Sequence, residues 1–582
     1  MPYLQERFHD LLADESVYHD PPPEHRSAGP TIPDKSALLT SPIHTLPVEL
    51  LSRVFVLGAK GKPYPDLTPI DTPTFEVLVS HVCHHWRDVA LRTQSLWTTL
   101  TFRLNCHMGR AHKYLARNNR LLLDIFIDTC AEDEYRAGYN LFRDEFMPIF
   151  HILIPHVDRW RSLTLKVRDR GCKLGARNAL STCGAARNLE YLQLWHIEDW
   201  DSAERLFTQI GPPPVVIFDR SLPSLKHLSL VGVNVPWLQS PFLEDLASID
   251  FALHSEDVRV PYHVWANMLA TSPNLEKMSL HYSGPKTSGE HWPETVISVP
   301  GLKELSLTDL DPPYMCEVLR RLHIPNVAQL RLELPAQEPD ADFDGFLAYL
   351  IAPPRSSGDD EGSTSDEGSA PKAEADGPLF PHLRTLAVSA LECSAQSFRR
   401  LLEVSPHLTQ LELGCKRLTE GLFQELLHVI IEDAKGKQRE GAPPSCGAVQ
   451  RVLLPDLHTV RISGITSAAL VQYIEFRRRH GCPVMRWHVS ERMRDSELER
   501  VVQEMEQRGE DERIVWFISE EDEEDEEDEE DETDGEGEEG SEGVHGGSDD
   551  AQASGDPEDD EPQDDEPEEY SDEDGEGSPD DE

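Results

Sequence analysis

One phrase recurs ten times between residues 158 and 462: a proline, one residue, then L-x-x-L-x-L. It reads LPSLKHLSL at 222–230, SPNLEKMSL at 272–280, VPGLKELSL at 299–307, IPNVAQLRL at 324–332, FPHLRTLAV at 380–388, SPHLTQLEL at 405–413 and LPDLHTVRI at 454–462. ARNLEYLQL at 186–194 and DRWRSLTL at 158–165 lack the proline, and SPFLEDLASI at 240–249 is a weaker copy. The first apolar positions are Trp160, Leu189, Leu225, Leu243, Leu275, Leu302, Val327, Leu383, Leu408 and Leu457, with steps of 29, 36, 18, 32, 27, 25, 56, 25 and 49 residues. The two long steps predict a degenerate or expanded unit in each. In a strand, alternate side chains share a face, so x-L-x-L buries both leucines on one side. No unit can cover that side alone; stacked neighbours can. Segments such as Tyr262 to Pro273 and Phe398 to Pro406 read as the helices between strands, each ending where a proline follows.

This pattern resembles the leucine-rich repeat. The resemblance implies a parallel sheet of short strands, an outer layer of helices or irregular turns, and a concave binding face. The position three after the last leucine departs from the family: its usual asparagine is replaced by Ile197, Val233, Ser283, Leu310, Leu391 or Ile465. An irregular horseshoe without an asparagine ladder is therefore expected. Alternation places Tyr191, Gln193, Trp195, His227, Ser229, Val231, Lys277, Ser279, His281, Glu304, Ser306, Gln329, Arg331 and Glu333 away from the core. Of these, Tyr191, Gln193, Trp195, His227, Lys277, His281 and Arg331 are candidate contacts for a target protein. Tyr191 and Trp195 lead, because exposed aromatics often anchor interfaces.

Upstream, IHTLPVELLSRVFVL at 43–57 sets Leu46, Leu50, Leu51, Val54, Phe55 and Leu57 at helical spacings. Pro47 suits a first turn and Thr45 an N-cap. After a proline-rich loop (Gly58 to Pro73), FEVLVSHVCHHWRDVALRTQSLWTTLTF at 75–102 predicts two or three further short helices. About 60 residues make a marginal core, so part of this apolar surface should face something else. LPVELLSRVF followed by VCHHWRDVALRTQSLWTTL resembles the F-box in the form common among basidiomycete fungal proteins. The match covers roughly residues 42–102; the 16-residue loop is a departure from a minimal F-box. The resemblance implies docking on the Skp adaptor of cullin-based SCF ubiquitin ligases. Leu46, Pro47, Leu50, Leu51, Val54 and Phe55 would then form the face, with Val79, Val82, Trp86 and Trp97 as support or contact.

The net charge of the 582-residue chain is −53, but 37 acidic residues and no Lys or Arg lie between 520 and 582, leaving −16 for residues 1–519. The tail is too charged and too poor in apolar residues to offset the entropy of ordering. It can attract or screen basic partners, or compete for basic patches on the chain itself. The ten cysteines form no C-x-x-C pair, arguing against a zinc module or disulfide framework. His81 and His85 of HVCHHW are four apart, but Val82 stands where a zinc protease needs Glu. No catalytic motif occurs, and no cofactor or metal is expected. Arg477 to Arg479 read as helix surface. The charge disfavours direct nucleic-acid binding. With no secretory signal or membrane-length apolar run, an intracellular location, cytoplasm or nucleus, is expected.

The expectation is an α/β chain without enzymatic activity. Residues 1–41 form a disordered arm, 42–102 the helical F-box, 103–519 the irregular leucine-rich-repeat solenoid with a disordered acidic insert at 352–378, and 520–582 a disordered polyacidic tail. Its expected role is the substrate-recognition subunit of an SCF-type ligase. The alternative is an acidic, chaperone-like binding protein for histones or other basic partners, with a structural F-box.

Overall fold

The computed structural model describes residues 43, 46–60, 73–130, 141, 143–168, 170–196, 214–233, 235–287, 292–334, 343–353, 377–414, 424–427, 429–432, 449–508 and 512–517. The arm at 1–41, Thr45, Ile197, residues 354–376 of the acidic insert and the tail lie outside the described residues.

The ten copies of the phrase supply ten strands of one parallel sheet of fourteen. The fourteen are β1 Thr99–Phe102, β2 Leu123–Asp128, β3 Trp160–Val167, β4 Tyr191–His196, β5 His227–Val231, β6 Ser248–Ala252 and β7 Lys277–His281. There follow β8 Glu304–Thr308, β9 Gln329–Leu334, β10 Thr385–Leu391, β11 Gln410–Gly414, β12 Thr459–Ser463, β13 Arg486–Ser490 and β14 Arg513–Phe517. Each strand pairs with the next in the chain, and none is inserted out of order. The result is α/β, with twelve helices among the described residues and a solenoid-like succession of units.

The two leucines of each phrase stack in register. One row runs Leu163, Leu192, Leu228, Ile249, Met278, Leu305, Leu330, Leu386, Leu411, Val460 and Trp487. All are buried, as is the second row two residues on. Fully burying such a side chain is worth about 1.5–3 kcal/mol, so the rows hold successive units together. A second ladder runs along the backbone at the strand entries. Glu190 carbonyl accepts from Lys226 and His227, Lys226 carbonyl from Ala247 and Ser248, and Ala247 carbonyl from Glu276 and Lys277. This pattern continues through Thr409 to His458 and Met485.

The structure corrects several details. β1 lies inside the segment expected to be purely helical, and its pairing with β2 starts the sheet before residue 103. The weak copy at 240–249 is shifted by three residues. Its strand begins two residues after Leu246, as β4, β5 and β7 to β12 begin two after their first apolar residues, so Leu246 and not Leu243 holds that place. Both long steps are expanded units: β9 pairs directly with β10, and β11 with β12. The first expansion contains the helix Asp344–Ile351; the second contains an antiparallel pair, Val429–Glu432 with Val449–Val452. Arg477 to Arg479 are not a surface run. Arg477 is fully buried and donates through Nη1 to the carbonyls of Leu453 (3.0 Å) and Leu454 (2.9 Å). Arg478 pairs with buried Glu512 at 2.8 Å, which also accepts from Trp487 Nε1 at 3.1 Å. Only Arg479 is exposed.

Realigning the weak copy also puts His254 three places after Phe251, the place that Val233 and Ser283 hold in the adjacent units. Its Nε2 bonds the Val233 carbonyl (2.9 Å) and its Nδ1 bonds Ser283 Oγ (2.7 Å). Those partners occupy the same position in the preceding and following units. Complete burial lowers the His254 pKa to about 4, so the imidazole remains neutral and bridges three turns.

Candidate protein-docking surfaces

Among the described residues three α-helices precede the sheet: α1 Val48–Lys60, α2 Phe75–Val82 and α3 His84–Arg92. The Pro47 carbonyl opens α1, accepting from Leu50 and Leu51 N–H at 3.0 Å. Cys83, in extended conformation, separates α2 from α3, and its Sγ accepts from Trp86 N–H at 3.5 Å. Gly58 permits the close packing of α1 on α2, because a Cβ there would lie 2.4 Å from the Phe75 ring.

The ten candidate adaptor residues divide into two sets. Leu51, Phe55, Val79 and Trp97 are buried in a core. Phe55 packs on half-buried Trp86 with ring centroids 5.0 Å apart. Leu46 is also half-buried. Pro47, Leu50, Val54 and Val82 are exposed. The exposed set extends to Val48, Leu57, Leu78 and Leu91, which were not named as site residues. Their signal was present: Leu50, Val54 and Leu57 are i, i+4 and i+7 on one face of α1, and Leu78 and Val82 are i and i+4 on α2. The helices thus close one core and leave separate aliphatic stripes on their outer faces.

This module is firmly joined to the sheet. Trp97 donates to the Ala90 carbonyl (3.0 Å), stacks edge-on against Tyr114 (4.9 Å) and lies under Arg117 (4.4 Å). Tyr114 comes from the helix His107–Arg117 and donates its hydroxyl to buried Glu76 at 2.9 Å. Burial, then the Glu76 charge, raises the Tyr114 pKa. At the start of that helix His107 Nδ1 accepts from Arg103 and Leu104 N–H (3.1 and 3.3 Å). Burial first, then Arg110 and Arg103, lowers its pKa to about 2. His81 and His85 are exposed, and no group of three His, Cys, Asp or Glu side chains among the described residues could hold a metal ion. No described helix is long and apolar enough to cross a membrane.

The open face of the sheet carries the second surface. Burial alternates along the strands as expected, most clearly in β4, β7, β8 and β9. Tyr191 and His227 stack with centroids 4.1 Å apart and planes 5° apart. Trp195 lies under Lys166 Nζ (4.4 Å) and donates to Ser229 Oγ (2.9 Å), which donates to Asp250 (2.7 Å). That relay buries Ser229, which the alternation had placed in the open. Gln193 Oε1 accepts from Thr164 at 2.6 Å. Farther along, Asp250, Lys277, Ser279, Glu304, Ser306 and Arg331 line a groove of about 410 Å³. Lys277 pairs with Glu304 (2.7 Å) and Arg331 with Glu412 (3.6 Å). The seven candidates therefore fall into an aromatic group (Tyr191, Gln193, Trp195, His227), a groove pair (Lys277, Arg331) and half-buried His281 on the outermost row. Compared with protein-family models and with curated protein sequences, the chain matches none.

Proposed function

We propose that this chain is a non-catalytic substrate receptor of an SCF-type ubiquitin ligase. Residues 42–102 act as an F-box that docks on a Skp-type adaptor, and the open face of a leucine-rich-repeat sheet holds the target protein. The cullin ligase bound through the adaptor supplies the ubiquitin chemistry. The observation that carries the reading is the aliphatic stripe Leu50, Val54 and Leu57 on α1, exposed beside a core that Leu51 and Phe55 already close. An apolar helix face of this kind suits recognition by a partner's helices or groove. The rigid join through Trp97, Tyr114 and Glu76 suits a receptor that must hold a target in fixed relation to its ligase. On the sheet, exposed Tyr191 and half-buried Trp195 provide aromatic anchors beside a polar groove. The test is co-expression of the full chain with a Skp-type adaptor and a cullin. A stoichiometric complex on gel filtration is expected; separate elution of the chain refutes the reading.

The second reading, an acidic binding protein for histones or other basic partners, is favoured by one feature, the 37 acidic residues of 520–582. It assigns the binding to that segment.

A further inference from the structure

The last three strands carry a charge out of keeping with the body of the chain. From β12, β13 and β14, Arg461, Arg486, His488 and Arg513 project onto the open face, with no carboxylate from those strands among them. Arg486 is in register with Thr459 on one side and Arg513 on the other; His488 is in register with Arg461 and Val515. Neighbouring strands lie about 4.8 Å apart, so Arg486 and Arg513 emerge side by side, with Arg461 one strand over from Arg486 and two residues further along. All three arginines are exposed, and among the described residues none makes an ion pair with a carboxylate. The carboxylate in register with Arg461 is Glu412 of β11, already engaged by Arg331 (3.6 Å) and by Gln410 Nε2 (2.7 Å). Arg461 lies on the Phe517 ring at 3.8 Å, which orients its guanidinium while its N–H edges remain open. His488 feels the same positive field: burial first, then Arg461 and Arg486, lowers its pKa.

We propose that Arg461, Arg486 and Arg513 form a binding site for a carboxylate-rich peptide segment of a partner protein. Arginine presents a planar fork of donors that matches a carboxylate in two parallel hydrogen bonds, and clustered unpaired forks favour several carboxylates from one segment. A peptide fits better than a nucleic acid. Glu412 on the adjacent strand β11, in register with Arg461, bounds the patch at three strands, so it suits the few carboxylates of a short segment better than an extended phosphate backbone. This goes beyond the ligase reading and is measured without any ligase subunit, so either can fail alone.

The test is fluorescence anisotropy of a labelled peptide with the sequence of residues 521–532, EDEEDEEDEEDE, titrated with the full-length chain and, so that the chain's own acidic residues do not compete, with wild type and variants lacking 520–582. Saturable binding is expected at about 0.1 M salt and loss of most of it at about 1 M, where the Debye length falls to about 3 Å. Replacing Arg461, Arg486 and Arg513 together by Gln should weaken binding about tenfold, as expected for three exposed charge pairs. Val515→Glu is the second variant: Val515 is exposed on β14, so the added carboxylate should weaken binding without disturbing the core. Thermal unfolding of both variants checks that they fold. Undiminished binding in the folded variants, or no saturable binding by the wild type at low salt, overturns the proposal. So does tighter, arginine-dependent binding of an RNA oligonucleotide of equal charge.

Discussion

Leu50 and Leu51 are adjacent in sequence and face opposite ways: Leu51 is fully buried, whereas Leu50 is 52% exposed. The same division separates Phe55, 1% exposed, from Val54, 49% exposed. A charge at the first position of each pair enters water; at the second it enters a closed core without a partner. Phe55→Asp should therefore cost about 3 kcal/mol or more and unfold the helical module, while Leu50→Asp should cost within about 0.5 kcal/mol. Chemical denaturation of both variants checks the difference. Equal losses would mean that Leu50 is part of the core.

The second prediction concerns acid. His254 and His107 titrate near 6.5 when unfolded but are lowered to about 4 and about 2 in the fold. Below pH 6.5 the unfolded chain binds protons that the folded chain refuses, so these groups favour unfolding as pH falls from about 6.5 towards 4. Above 6.5 their contribution is constant. Melting temperature measured across this window should fall less steeply in His254→Gln than in the wild type. Parallel curves would show that His254 carries no such linkage.

Much of the sheet was legible because a period of two leaves little freedom: x-L-x-L puts both leucines on one face, and neighbours must cover it. The misplaced unit shows the limit. Leu243 and Leu246 are both buried, and only the register of Ser248 with His227 shows which opens the strand. With the phrase misaligned, His254 could not be seen as a ladder residue. The helical module was legible as helices but not as faces, since apolar residues at i, i+4 and i+5 make a stripe too broad for one side. Which half faces inward depends on α2, α3 and Trp97 packing over Leu51 and Phe55, information that α1 alone does not contain. Arg477 was read as surface because three successive arginines usually are; its burial depends on the Leu453 and Leu454 carbonyls 24 and 23 residues away.

Residues 354–376 of the acidic insert lie outside the described residues, and β9 and β10 pair directly although the insert separates them in sequence. Replacing Ser356 to Ala375 by a short Gly-Ser linker should change the melting temperature little, because closure entropy varies by only about 0.6 kcal/mol per twofold change in loop length. A drop of many degrees would show that the insert supports the sheet.

Deletion of 520–582 separates the two functional readings. It should leave adaptor binding and the unfolding transition unchanged, and weaken binding of histones at about 0.1 M salt more than at about 1 M, as screening requires. If truncation leaves histone binding at low salt unaltered, the acidic-chaperone reading is lost.

The most direct test of the receptor reading is calorimetric titration of a purified Skp-type adaptor into the full chain and into its Leu50→Asp/Val54→Asp variant. Both substituted side chains are exposed, so the variant should melt with the wild type. The account predicts saturable binding by the wild type and none by the variant, since two unpaired charges would have to enter an apolar interface. Wild-type affinity in the variant, or no binding by the wild type, would contradict it.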